Sequence, residues 1–325
     1  MSAKVRGNLM LMLTALIWGS SFVAQKSGME LIGPMTFNGI RTLIGGLVLI
    51  PVICFLDRKP ASESAEAENA EEESDSKKRN ERRLLLIGGI CCGFILMIAG
   101  SFQQIGLLYT SAGKSGFITA LYVVLVPICG LVLRKKVRPL IWLCVLASAL
   151  GLYLLCIPAD GGFGHINRGD FLTLLCAICF TIHILVIDYF SPKVDGVKMS
   201  CIQFFVAGIF SIILIPLIDP AFGYALPTLK MLTGVWLPIL YSGVLSCGVA
   251  YTLQIVAQAK ADPTIASMIL CLESVFAVLA GMIILGESMS LRETIGCLIM
   301  FAAILVSQLP SKEDRLKMPD QETLS

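Results

Sequence analysis

The sequence predicts an all-α membrane protein, with ten transmembrane helices as two inverted five-helix repeats. Three observations predict it. The chain of 325 residues is 56% hydrophobic and only 15% charged, which is too apolar for a soluble domain. Its apolar residues gather into ten runs, most of them near the roughly 20 residues that cross a bilayer. The runs also repeat. Residues 7–57 align without a gap on 169–219, where Gly7, Ala15, Ile40, Gly46, Ile50 and Asp57 meet Gly169, Ala177, Ile202, Gly208, Ile212 and Asp219. Residues 84–133 align on 235–284, where Gln103, Leu121 and Gly130 meet Gln254, Leu272 and Gly281. An odd number of spans per repeat inverts the second repeat in the bilayer, the arrangement in which secondary transporters hold a site between their halves.

The first repeat, residues 1–158, has expected spans at 8–26, 34–56, 84–108, 114–133 and 140–158. The first of these resembles a signal peptide, with Lys4 and Arg6 before the apolar run and Ser20 and Ser21 after it. Its repeat mate lies deep in the chain, so it is read as a retained helix. The segment 57–83 holds an acidic block between two basic ones and no apolar residue larger than Ala between 61 and 76. It is expected to be a disordered cytoplasmic loop. The second repeat, 169–310, has expected spans at 169–190, 199–218, 234–257, 264–285 and 291–309, and a polar cytoplasmic tail, 311–325, follows.

Charge placement sets the orientation. With a cytoplasmic N-terminus, only Lys26, Lys114, Arg168, Lys230 and Arg292 fall on the far side and Arg41 falls within a span; every other Lys and Arg is cytoplasmic. This bias predicts both termini in the cytoplasm and an integral protein of the plasma (inner) membrane. All 12 Cys fall in the apolar spans, where Cys packs as a small hydrophobe rather than forming a disulfide framework.

Two short motifs carry no chemistry. Gly113-Lys114-Ser115 ends like a phosphate loop but lacks the upstream glycine, and Leu108 stands in its place. Cys176 and Cys179 are spaced CxxC on an apolar helix without a second pair. No catalytic residue, cofactor, metal or nucleic-acid partner is expected, and the chain does not read as an enzyme.

Polar residues inside spans are the candidates for a site. An ionisable side chain at the bilayer centre costs about 2.5–3.5 kcal/mol by insertion scales, so it faces the bundle interior or a wet cavity. Glu273 is mid-span and its repeat mate is Tyr122; the pair is expected at the repeat interface, with Glu273 able to exchange a proton or to serve packing. Asn38 and Arg41 share a face one turn apart, and Arg41 suits a carboxylate or phosphate. Gln203 is the repeat mate of Arg41. His183 is the only intramembrane histidine, and a lone histidine is more often a packing residue than a proton or substrate ligand. Gln103 and Gln254 are repeat mates. Tyr251, Gln254 and Gln258 form one helical stripe, and Trp18, Ser21 and Gln25 form another; such groups line cavities or bond between helices. Gly89 and Gly93 are read as a close-packing pair.

Leu16-Ile17-Trp18-Gly19-Ser20-Ser21-Phe22, then Arg41 with Gly45 and Gly46, then Leu285-Gly286-Glu287 and Gly296, resemble EamA-type proteins of the drug/metabolite transporter superfamily over about residues 7–309. Arg134-Lys135-Lys136 departs from the pattern by lacking a glutamate equivalent to Glu287, and the acidic segment 57–83 is a further departure. The resemblance implies a ten-helix basket around a central cavity that opens alternately to each side. It implies export or exchange of a small polar solute. Amino acids or related compounds are the first expectation, with nucleotide sugars, drugs or cations, or a non-transport membrane protein, as the alternatives. Fold does not carry substrate over. The partners expected are a small-molecule substrate and the lipid bilayer, with protons as an allowed coupling partner; monomer and homodimer stay open.

Overall fold

The computed structural model describes residues 3–57, 71–110, 112–132, 137–156, 167–259, 261–285 and 290–307. The acidic stretch 58–70, Arg134-Lys135-Lys136, Gly286-Glu287 and the tail from 308 onward lie outside them. All regular structure among the described residues is helical, as the bilayer demands. With no water to satisfy exposed N–H and C=O groups, a spanning segment must satisfy its own backbone.

The first half holds α1 (Ala3–Gly28), α2 (Pro34–Leu56), α3 (Glu71–Leu107), α4 (Ala112–Ala120), α5 (Tyr122–Val132) and α6 (Pro139–Cys156). The second holds α7 (Arg168–Phe190), α8 (Gly196–Ile218), α9 (Leu229–Gly234), α10 (Trp236–Leu240), a π-helical stretch (Tyr241–Tyr251), α11 (Thr252–Gln258), α12 (Pro263–Leu270), α13 (Glu273–Leu285) and α14 (Leu291–Ser307). Among the described residues six helices are long and apolar enough to cross a membrane: Val5–Gly28, Pro34–Leu56, Lys78–Leu107, Arg168–Phe190, Gly196–Ile218 and Trp236–Gln258. The other expected spans fall on shorter apolar helices, Ile118–Val132, Pro139–Gly151, Pro263–Ala277 and Thr294–Ser307.

Local chemistry places the helix ends. Asp195 caps α8 by accepting from Val197 N and Lys198 N at 2.8 and 2.9 Å. Asn167 and Asp170 form a reciprocal capping box on α7, at 2.9 and 3.0 Å. Pro34 and Pro263 open α2 and α12, where a missing N–H costs nothing.

The segment 57–83 differs from the expectation over its second part, since α3 begins at Glu71. The sequence supports this. In the sequence Glu73 and Asp75 stand four residues before Lys77 and Arg79, a spacing that favours helix.

The distribution of side chains is that of a bilayer protein. Leu9, Leu13 and Leu16 on α1, Leu143, Leu146 and Leu150 on α6, and Ile213 and Leu217 on α8 are exposed, while Gln25, Gln104, Gln203, Gln254 and Glu273 are buried. Lipid solvates the first group and cannot solvate the second. The most extensive pairings, α2 with α8, α3 with α7, and α6 with α14, all join the two halves, so the halves interlock rather than stand side by side. Gly89 and Gly93 serve close packing as expected: a Cβ at either would fall 2.6 Å from Ile202 Cγ2 or Val206 Cβ of α8.

The repeat is visible in three dimensions. Asp219, at the end of α8, binds the start of α2, and Asp57, at the end of α2, binds Lys198 near the start of α8. Thr36 and Lys198 are themselves repeat mates. The equivalent helices α2 and α8 therefore run antiparallel, as inverted repeats require.

Candidate functional site

Two helices break at the same place in the repeat. The chain passes from α4 to α5 at Leu121, and from α12 to α13 at Cys271 and Leu272. At the first break Leu121 N donates to Ile118 O at 3.2 Å and Leu125 N to Leu121 O at 3.1 Å. At the second, the mates of these groups make the same bonds: Leu272 N to Ile269 O at 3.2 Å and Phe276 N to Leu272 O at 2.9 Å. Paired discontinuous helices in an inverted repeat are the best structural pointer to a transporter site.

The first residues after the two breaks are Tyr122 and Glu273, and they bond to each other. Tyr122 Oη donates to Glu273 Oε1 at 3.0 Å, and both side chains are buried. Ser274 Oγ donates to Gly116 O at 3.2 Å across the same junction. Helix α1 lies directly on the second break, and a Cβ at Gly19 would run into the Glu273 carbonyl and fall 2.6 Å from Phe276 Cβ. Glycine is needed here because backbone meets backbone.

Around this contact lies a cavity lined by Trp18, Ser21, Phe22, Gln25, Arg41, Gln103, Thr119, Tyr122, Phe180, Ile184, Ser246, Tyr251, Gln254, Leu270 and Glu273. Its free space is about 30 Å³, room for roughly two waters. Five pairs of repeat mates make up most of the wall: Trp18 and Phe180, Phe22 and Ile184, Gln103 and Gln254, Thr119 and Leu270, Tyr122 and Glu273. The cavity therefore sits on the approximate two-fold axis relating the halves. The remaining lining residues lack a mate in the wall and make it chemically one-sided.

Arg41 is the clearest of these. It is 5% exposed, and its Nε and Nη2 both donate to Asn38 Oδ1, at 3.2 and 2.9 Å. Asn38 Nδ2 donates in turn to Ser211 Oγ at 3.1 Å. No carboxylate among the described residues pairs with Arg41. Phe37 lies 5.8 Å below the guanidinium. The π-helical stretch supplies Ser246 and Tyr251, and π segments recur at functional sites. Two α1 side chains take up its carbonyls: Trp18 Nε1 donates to Ser246 O at 3.3 Å, and Thr14 Oγ1 to Ala250 O at 3.0 Å. The Trp18 and Tyr251 rings pack at 4.5 Å. Gln25 accepts from Gln104 Nε2 and donates to Ser21 Oγ at 3.0 Å. Thr119 Oγ1 and Gln254 Oε1 are buried without a hydrogen-bond partner.

Seven expected site residues line this cavity: Glu273, Tyr122, Arg41, Gln103, Gln254, Tyr251 and Trp18. The other three stand behind its wall. Asn38 orients Arg41. His183 Nε2 meets Gln203 Oε1 at 3.1 Å, and the His183 ring stands edge-on to Tyr251 at 6.0 Å. Sequence reasoning missed Phe22, Thr119, Phe180, Ile184, Ser246 and Leu270. Projecting the expected residue Trp18 through the repeat would have found Phe180. No group of His, Cys, Asp and Glu among the described residues could hold a metal.

This constellation, on a duplicated helical bundle with two broken helices, defines a membrane transporter fold. The sequence matches the EamA-like transporter family in two copies, over residues 5–157 and 167–308, and the chain belongs to that family. It is 30% identical over 308 residues to an uncharacterized transporter of Archaeoglobus fulgidus, spanning 94% of this chain and 86% of that protein. It is 24% identical to a WAT1-related chloroplastic protein of Arabidopsis thaliana, spanning 91% of this chain and 68% of that one. A solved crystal structure superposes on 96% of this chain and 99% of its own with a TM-score of 0.71; at 17% identity this likeness shows the fold alone.

Proposed function

We propose that the chain is a secondary transporter of ten spans, with both termini cytoplasmic in the plasma membrane, that exports or exchanges amino acids or related zwitterionic metabolites by alternating access. The observation that carries the reading is the Tyr122–Glu273 bond, made across the repeat axis where both broken helices restart. In line, α4 and α5 cover 112–132 and α12 and α13 cover 263–285. At 1.5 Å per residue each composite helix is about 30 Å long, the thickness of the hydrocarbon core.

The cavity chemistry supports a zwitterion. Arg41 is a buried cation without a carboxylate partner among the described residues, suited to a substrate carboxylate. Glu273 is a buried acid bonded only to a phenol, suited to a substrate ammonium or to a proton. Aromatic faces of Trp18, Tyr251 and Phe180 supply the apolar contact of a side chain. The small free space fits a state closed to both sides, from which substrate passes only when helices move.

The test is counterflow of labelled solutes in vesicles containing the purified chain. Saturable movement of at least one amino acid is expected, with Arg41→Gln raising KM. Glu273→Gln is expected to fold normally and to flatten the pH profile of transport. Movement of a nucleotide sugar but of no amino acid would replace the substrate class. No saturable movement of any solute would sink the transport reading.

A further inference from the structure

Most buried polar groups in folded proteins have a partner, so clusters of those without one are informative. In this molecule several such groups fall between the cavity and the Asp57 end of the bundle. Gln258 on α11 is 1% exposed, and neither its Oε1 nor its Nε2 has a partner. One turn back, Gln254 Oε1 is also unpartnered, and Gln254 and Tyr251 line the cavity. The three residues share one helical face. On α8, which packs against α11, Ser200 Oγ and Gln203 Nε2 are fully buried and unpartnered. Gly196 sets the close approach of α8 to α11, since a Cβ there would fall 2.9 Å from Ile255 Cγ2. Gly196 opens α8 two residues before Lys198, the partner of Asp57.

We infer that the Tyr251–Gln254–Gln258 face of α11, with Ser200 and Gln203 of the adjoining α8, is the passage through which water and substrate reach the cavity from the Asp57 end, closed in this structure. Packing alone gives no reason to bury a glutamine with both amide ends unpartnered, because an apolar residue of the same size would fill the space at lower cost. A passage that opens and wets gives one. The amides are solvated in the open state, and in the closed state they wait without bonds that would have to be broken. Amides also suit a polar solute of either charge, binding it weakly enough to release it. Beside the polar residues the same helices are sealed, since Ile255 and Met199 pack with Cys92 and Ile187 in an apolar cluster.

This inference rests on the transport reading, but its test needs no substrate. The full chain in vesicles carrying Gln258→Cys is treated with a water-soluble methanethiosulfonate reagent, and the label is located by mass spectrometry, so that native cysteines do not confuse the result. Ala257→Cys, one residue away at nearly the same depth and buried in the apolar core, is the reference. Labelling of Gln258→Cys is expected to be at least about tenfold faster than that of Ala257→Cys. Equal protection of the two positions, or equal labelling, would overturn the passage. Neither result bears on whether the chain transports, which counterflow decides separately. If Gln258→Cys does not fold, Ser200→Cys against Met199→Cys poses the same question on α8, with the same outcomes for and against.

Discussion

The two ends of the α2–α8 pair are built from the same positions of the repeat and could hardly be more different. At one end Asp219 is fully buried and accepts from Met35 N at 2.8 Å, Thr36 N at 3.0 Å and Thr36 Oγ1 at 2.6 Å. At the other, its mate Asp57 meets the ammonium of Lys198 at 2.8 Å, with 55% of the Asp57 side chain and 36% of the Lys198 side chain exposed. The first contact joins a carboxylate to a helix N-terminus, where N–H groups have no partner within the helix and the dipole favours negative charge. The second is a wet ion pair, weak and easily exchanged for water. Duplication supplied both carboxylates. Divergence of one partner, Thr36 against Lys198, made one end a clamp and left the other an openable contact. This agrees with the passage inferred at the Asp57 end.

The clamp is the more sensitive end. Asp219→Ala leaves two backbone N–H groups and one hydroxyl buried without an acceptor. Charge-assisted bonds of this kind are worth roughly 1.5–3 kcal/mol each but are not additive, so a loss of roughly 3–5 kcal/mol is expected. Thermal unfolding in detergent reads it, and Asp219→Asn should recover part of the loss. A stability within error of the parent would break the comparison, because the two carboxylates would then be equivalent.

Between the ends, Gly19 tests how rigidly the centre is held. Gly19→Ala presses a methyl onto the Glu273 carbonyl and to 2.7 Å from Ala277 N, which are backbone atoms that cannot turn aside. Overpacking of this sort costs roughly 1–3 kcal/mol. The same variant should weaken transport more than its stability loss explains, since it displaces the break that positions Glu273.

Much of this architecture was legible in the sequence, and the parts that were not share a cause. The repeat was visible because whole helices keep their apolar register, and it already paired Asp57 with Asp219 and Tyr122 with Glu273. What each member touches depends on its neighbours in space, so nothing in the repeat said that Asp219 would be dry and Asp57 wet. The breaks at Leu121 and Cys271–Leu272 carry no glycine or proline at the break itself, so the fourth and ninth spans read as continuous. The π-helical stretch 241–251 reads as ordinary apolar helix, because Gly243 and Gly248 occur in it at a spacing that any span tolerates. Its wider turns become apparent only where Trp18 Nε1 and Thr14 Oγ1 donate to its carbonyls. The helix from Glu71 was hidden by a composition that suits both a solvated helix and a disordered linker.

The clamp has a second, smaller component. The chain after Asp219 folds back as a strap, in which Phe222 N and Tyr224 N both donate to Asp219 O, at 3.1 and 3.0 Å. Tyr224 Oη donates to Met29 O at 3.0 Å, tying the strap to the end of α1. Tyr224→Phe removes that bond alone. A loss of about 0.5–1.5 kcal/mol is expected, additive with a distant substitution and less than additive with Asp219→Ala. Strict additivity with Asp219→Ala would show that strap and carboxylate act independently and that the clamp is narrower than drawn.

The smallest effect is expected at the Asp57 end, and there the sign of a second measurement matters more than the size of the first. Asp57→Ala should change stability by no more than about 1 kcal/mol, because an exposed pair is screened and ordering two mobile side chains offsets most of its attraction. Raising salt should shrink even that difference, with a Debye length near 8 Å at physiological ionic strength. If the contact closes the Asp57 end, its loss should still speed labelling of Gln258→Cys, since a weak latch shifts a population without contributing much to folding. A destabilisation as large as that of Asp219→Ala, insensitive to salt, would mean that both ends are clamps, and the passage would have to open elsewhere.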